Sequence, residues 1–159
     1  MRPSSLLRGA HAYLTPTAAL AGLTAAQANR MAGPGAHSIA EIVAHMAFWQ
    51  DWFLDRCDGV SSPMPAPAAR GWPPVREGDW ETVLGRFERG FDRALALADG
   101  DARSTQSVTP AIEFEPLARY TVGDVLTHLA LHNAHHVGQV ITLRQLQGTW
   151  PPPAGSWTW

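Results

Sequence analysis

Two connections of about twenty residues divide this chain, the first of which cannot be regular structure, and what lies between them is helix-periodic. Residues 59 to 78 hold Pro63, Pro65, Pro67, Pro73 and Pro74 with three glycines, and proline removes a backbone donor and blocks helix continuation. A second connection runs from about residue 101 to 120, where Val108 to Phe114 suggests a short extended piece. The runs on either side carry helix punctuation. Ser38-Ile39-Ala40-Glu41 has the S-x-x-E form of a capping box and opens a run that closes at Asp58-Gly59. Asp79 is placed to cap a run from Trp80 to about Ala98, in which Val83, Leu84, Phe87, Phe91, Ala94 and Leu95 recur at helical spacing. Thr121-x-x-Asp124 opens the last run, which ends near Gln147-Gly148 before Trp150-Pro151-Pro152-Pro153. The first thirty or so residues are Ala/Leu-rich and interrupted at Thr15-Pro16-Thr17, so they predict two short helices or one broken helix.

No strand pattern competes, and the expected class is all-α, a four-helix bundle. Antiparallel neighbours usually need only about 2–8 linking residues. Connections of about twenty therefore predict at least one crossover between parallel helices. At 159 residues, a single domain over 1–159 is expected.

Composition excludes several chemistries. All 12 basic residues are arginine, which removes any Schiff-base lysine. Cys57 stands alone, so an intramolecular disulfide, a CxxC pair and a cysteine zinc finger are excluded. The formal charge of −2 gives no electrostatic footprint for nucleic acid. No stretch approaches the ~18 apolar residues of a membrane span, and the opening residues are too polar for a signal peptide. A cytoplasmic location is expected.

What remains conspicuous is histidine. Four of seven lie in one short stretch of the last helix: His128, His132, His135 and His136. With His128 at 0°, a pitch of 100° per residue puts His132 at about 40°, His136 at about 80° and His135 at about −20°. The apolar residues of that helix centre near 100–120°, so His132 and His136 turn toward the interior while His128 and His135 flank it. The i, i+4 spacing of His132 and His136 allows both imidazoles to grip one cation. His45, at the edge of an apolar stripe on the second helix, could supply a third nitrogen, which is the donor set of an open catalytic site. Taken alone, His45 reads more readily as a hydrogen-bonded boundary residue, and the pair reads equally as an ordinary helix face. Glu41 and Asp124, each one turn before a histidine, are candidate supporting carboxylates or bases. His11 and His37 read as structural or solvent-facing, Trp49 and Trp52 as core and pocket wall, and Cys57 as an inert small hydrophobe. Trp72 and the Trp-rich tail could wall a cleft.

The segment His128-Leu129-Ala130-Leu131-His132-Asn133-Ala134-His135-His136-Val137-Gly138-Gln139 resembles the last-helix signature of the DinB / YfiT-like family, and Ser38 to Trp52, with His45 in an I-x-x-H-x-x-x-W setting, resembles its second-helix motif. The resemblance implies a bundle of up-down-down-up order and a divalent metal (zinc, nickel or iron) held by His45, His132, His136 and water. It also implies a small-molecule substrate, as in thiol-dependent transferases that use low-molecular-weight thiols, and a homodimer. Val137 departs from the arginine that often follows the last ligand. The rival reading is a non-catalytic, dimeric bundle in which the histidine cluster is structural.

Overall fold

The computed structural model describes residues 2–66, 68–100 and 102–157. Six α-helices appear in order: α1 (Pro3–Leu7), α2 (Pro16–Leu20), α3 (Ala25–Ala28), α4 (Ile39–Cys57), α5 (Trp80–Asp99) and α6 (Val122–Leu146). Short 3-10 turns cover Ala68–Gly71, Glu77–Asp79 and Glu115–Leu117. Among the described residues there is no strand, only one isolated antiparallel bridge between Ser107 and Thr121. The piece expected to be extended at 108–114 forms no strand: Val108 N donates to Tyr120 O at 3.0 Å beside that bridge, and Val108 and Ile112 are buried against the helices.

The ends of α4 and α6 are fixed by the caps that the sequence announces. Ser38 Oγ accepts from Glu41 N at 3.2 Å while Glu41 Oε2 accepts from Ser38 N at 2.8 Å. Thr121 and Asp124 repeat the exchange at 3.2 and 2.9 Å. Each pair satisfies two orphan donors of a first helical turn. Asp79 behaves differently from the expected cap of α5. Its carboxylate accepts from Arg76 N at 2.9 Å inside the 3-10 turn, so α5 is entered from a tighter turn, and Trp80 is anchored by its indole N–H to Leu23 O at 3.2 Å.

The N-terminal stretch is broken three ways rather than two. Gly9 sits at φ +89°, where a Cβ would stand 2.3 Å from Tyr13 O, so only glycine permits that turn. Thr24 and Gln27 then form a third capping box over α3.

Side-chain pairings give the helix directions. Asp51 meets Arg86 at 2.6 Å, and Asp55 and Asp58 both meet Arg93 at 2.8 Å, so residue numbers advance together along α4 and α5. These pairs are partly exposed and each contributes about 0–1 kcal/mol. Along α4 and α6 the numbers run oppositely: His45 faces His136, and Phe53 faces His128. The N-terminal stretch opposes α5, with Arg8 on Asp99 and Leu23 on Trp80. Trp80, Phe87, Phe91, Met46, Leu54, Leu126 and Leu129 fill the space between. One polar chain crosses this core: Asn133 donates to Gln50 Oε1 at 3.1 Å, and Gln50 donates to Phe87 O at 3.1 Å. It ties α4, α5 and α6 at one level, immediately beside His132.

Candidate metal centre

Antiparallel packing of α4 on α6 brings His45 opposite His132 and His136. The three are the only group of three or more His, Cys, Asp or Glu residues among the described residues able to hold a metal ion, with one ligand atom from each lying within 4.8 Å of the others. His45 and His136 are buried and His132 is half-buried.

The hydrogen bonds on the outer edge of the rings set the tautomers. His45 Nδ1 lies 2.6 Å from Gly71 O, and His136 Nδ1 lies 2.7 Å from Gln139 Oε1. Both partners accept, so both Nδ1 atoms carry the proton and both Nε2 atoms carry a lone pair. Each of those lone pairs faces His132 Nε2 at 3.2 Å. A proton on His132 Nε2 could meet one of the two neighbours and would leave the other facing it unsatisfied. A proton on His132 Nδ1 would leave three lone pairs converging. The imidazoles alone therefore cannot satisfy one another, whereas a cation bound to all three Nε2 atoms relieves the conflict. Two of the three separations, 3.2 Å each, are those of nitrogens about 2.1 Å from a common ion, and all three ligand atoms lie within 4.8 Å of one another. The donor set fits a divalent metal.

Burial keeps these rings neutral. Desolvation lowers the His45 pKa to about 4 against the raising effect of the Gly71 carbonyl, and lowers His132 to about 3 with help from the neighbouring histidines. His136 is lowered too, chiefly by burial and against its bond to Gln139. Neutral imidazole is the ligating form. His132 Nδ1 is buried without a partner, so it lacks the outer acceptor that its two neighbours have.

A strap from the first connection covers the cluster. Gly71 supplies the carbonyl for His45, and Trp72 stacks on His45 with ring centroids 3.8 Å apart and planes 14° apart. Its opposite face takes His37 at 3.8 Å and 8°. The approach is so close that a Cβ on Gly71 would meet Trp49 Nε1 at 2.9 Å. On the other side of His132, Trp49, Phe53, Met64, Pro65, Phe114 and Leu117 line a cleft of about 360 Å³ with His128.

A model of the DinB superfamily matches residues 13–140 of this chain. The chain belongs to the DinB superfamily. No curated protein matches it significantly. In this DinB member the three histidines singled out from the sequence come together, and His128 and His135 stay outside the cluster, as their helical angles require. His128 is nonetheless half-buried and faces the cleft, with Nδ1 3.2 Å from Tyr120 OH, while His135 is exposed. Glu41 and Asp124 are committed to the N-caps of α4 and α6, and the Thr121 backbone and hydroxyl bonds lower the Asp124 pKa. His37 pairs with Glu41 at 3.5 Å. The described tail does not wall the cleft: Trp150 stands by Arg144 and Trp157 lines a hollow with Arg2, Arg8 and Tyr13, while Trp159 lies outside the described residues. Gln139 was within reach of sequence reasoning, since it lies three residues beyond His136 on the same helix face. Trp72 was expected to wall a cleft and stacks on His45, whereas the Gly71 carbonyl was out of reach, because the path of a Pro-rich connection has no periodicity.

Proposed function

We propose that this DinB-superfamily protein is a metal-dependent enzyme in which His45, His132 and His136 hold zinc, nickel or iron and act on a small molecule by thiol-dependent transfer or hydrolysis. The observation that carries this reading is the convergence of three Nε2 atoms that the histidines cannot satisfy among themselves. When bound, such an ion supplies a Lewis acid that lowers the pKa of a water or thiol brought to it. Gly71 O and Gln139 Oε1 hold two rings in the ligating tautomer. Trp72 excludes water from the face of His45. The protein's own thiol is unsuited to the chemistry: burial pushes Cys57 up to about 11, and twelve residues along a helix separate it from His45 by about 18 Å. A thiol used in the reaction would come with the substrate, which favours a low-molecular-weight thiol.

The parallel α4–α5 and antiparallel α4–α6 pairings support an up-down-down-up order within one domain. A homodimer belongs to the same reading, supported by Leu131 and Leu146, which α6 leaves 65% and 73% exposed. No helix among the described residues is long and apolar enough to cross a membrane, and a cytoplasmic location completes the proposal.

Elemental analysis of the natively expressed protein tests it, followed by a transfer screen with several low-molecular-weight thiols. One equivalent of divalent metal, lost in His132→Ala with little change in melting temperature, is the expected result. A protein without stoichiometric metal overturns the proposal. Metal whose loss in His132→Ala collapses the melting temperature, with no turnover of any thiol, assigns the cluster a structural role instead.

A further inference from the structure

His132 belongs to two places at once. Its Nε2 faces His45 and His136, and its ring forms part of the wall of the 360 Å³ cleft. The rest of that wall is drawn from four parts of the chain: α4 gives Trp49 and Phe53, the first connection Met64 and Pro65, the second Phe114 and Leu117, and α6 His128. No lining residue is an aspartate, glutamate, lysine or arginine. The volume falls within the range of small-molecule sites, which are mostly apolar with a few placed polar groups. Phe114 is 51% exposed at this cleft, two residues from the fully packed Ile112. A large aromatic side chain left half in water beside an apolar hollow gains its burial only when something enters.

The polar side of the cleft is equally restricted. His128 has its Nδ1 engaged by Tyr120 OH at 3.2 Å and its ring tilted against Phe53, with centroids 4.8 Å apart. Its Nε2 is then the one ring nitrogen left to an occupant. We infer that the cleft is the subsite for an uncharged, ring-sized apolar group of the substrate. The polar end of that substrate reaches the three-histidine centre past His132, and His128 Nε2 offers it one hydrogen bond on the way. The inference rests on the metal reading above for its polar end and on the cleft alone for its apolar end.

Three hydroxamates that share a metal-directed head and differ in their tail test it by calorimetry on the full-length, nickel-loaded protein. Benzohydroxamate is expected to bind about tenfold or more tightly than acetohydroxamate, the effect of burying one ring, and 4-carboxybenzohydroxamate is expected to lose that gain. Phe114→Ser, at an exposed position, and Leu117→Ser, at a half-buried one on the edge of the core, should narrow the gap while leaving acetohydroxamate affinity unchanged. Equal affinity for the first two probes overturns the inference, as does tightest binding of the carboxylate. If the protein retains no nickel and binds no hydroxamate, the metal reading fails by itself. The apolar subsite is then decided by titrating metal-free protein with benzyl alcohol and following the Met64 and Leu117 methyl resonances, where saturable shifts sustain it and unmoved resonances remove it.

Discussion

Trp72 lies face to face with His45 at 3.8 Å and with His37 at the same distance on its other side, so one indole from a proline-rich connection is clamped between two imidazoles. Trp49 meets His45 edge-on at 6.4 Å, further from that ring than Trp72. Nickel is paramagnetic and should quench the nearest indole most. Titration of the metal-free protein with nickel should therefore quench tryptophan emission saturably at one equivalent. In Trp72→Phe the stoichiometry should persist while most of the quench disappears, as steady-state fluorescence beside elemental analysis would register.

Gln139 is exposed yet fixes the tautomer of His136 through a 2.7 Å contact. Loss of an outer partner of a ligating histidine typically costs 10–100-fold in metal affinity. Gln139→Ala should weaken metal binding by about that factor in competition with a chromogenic chelator, while thermal stability of the metal-free protein changes by less than about 0.5 kcal/mol.

Acidity should act on this site at an unusually low pH. His45 and His132 titrate at about 4 and about 3 in the folded chain, against about 6.5 when unfolded. The unfolded chain therefore binds more protons between those values, and stability rises with pH through that window. It is fully present above about 6.5 and is lost as pH falls through 4 and then 3. Metal affinity should likewise stay nearly flat from pH 8 to 6, since there is no proton to displace from these nitrogens. An affinity that already falls tenfold per unit near pH 6.5 would contradict the burial described here. Chelator competition across pH, with urea unfolding of the metal-free protein alongside, measures both.

Arg144 is buried and meets no carboxylate among the described residues. It donates to Ala19 O at 2.6 Å, to Ala21 O at 3.1 Å and twice to Thr149 O at 3.1 and 2.8 Å, which fastens the N-terminal stretch and the tail to the end of α6. Arg144→Met would strand those carbonyls, at a cost of at least about 2 kcal/mol, visible as a lowered urea midpoint. Metal content should be unchanged, because eight helical residues, about 12 Å, separate Arg144 from His136.

The long helices were legible because their signals are local. Ser38 with Glu41, and Thr121 with Asp124, sit three residues apart and bond to one another, so no distant part of the chain decides them. The same form in Thr24 and Gln27 was present and would have separated α3 from α2. His132 and His136 were legible from one helix's period, and His45 joined them through its place at the edge of an apolar stripe and through the family pattern. The strap was hidden, since Gly71 acts through a backbone carbonyl that any residue type carries. His128 was placed on the flank by its angle on α6, and that placement holds. What the angle could not contain is that Tyr120, Phe114 and Leu117 from the second connection turn the flank into the wall of a cleft.

Parallel packing of α4 and α5 makes the segment between them travel the length of the molecule, and that journey passes over the histidines at Gly71 and Trp72. Its tolerance to insertion and deletion is therefore uneven. Residues added between Gly59 and Ser62, before Trp52 reaches Pro63 O, would lengthen an exposed bend. A single residue added or removed next to Gly71 would slide the carbonyl off His45 and the indole off its stack, without disturbing any helix. A loop that composition marks as a spacer is, over two residues, as fixed in register as a strand.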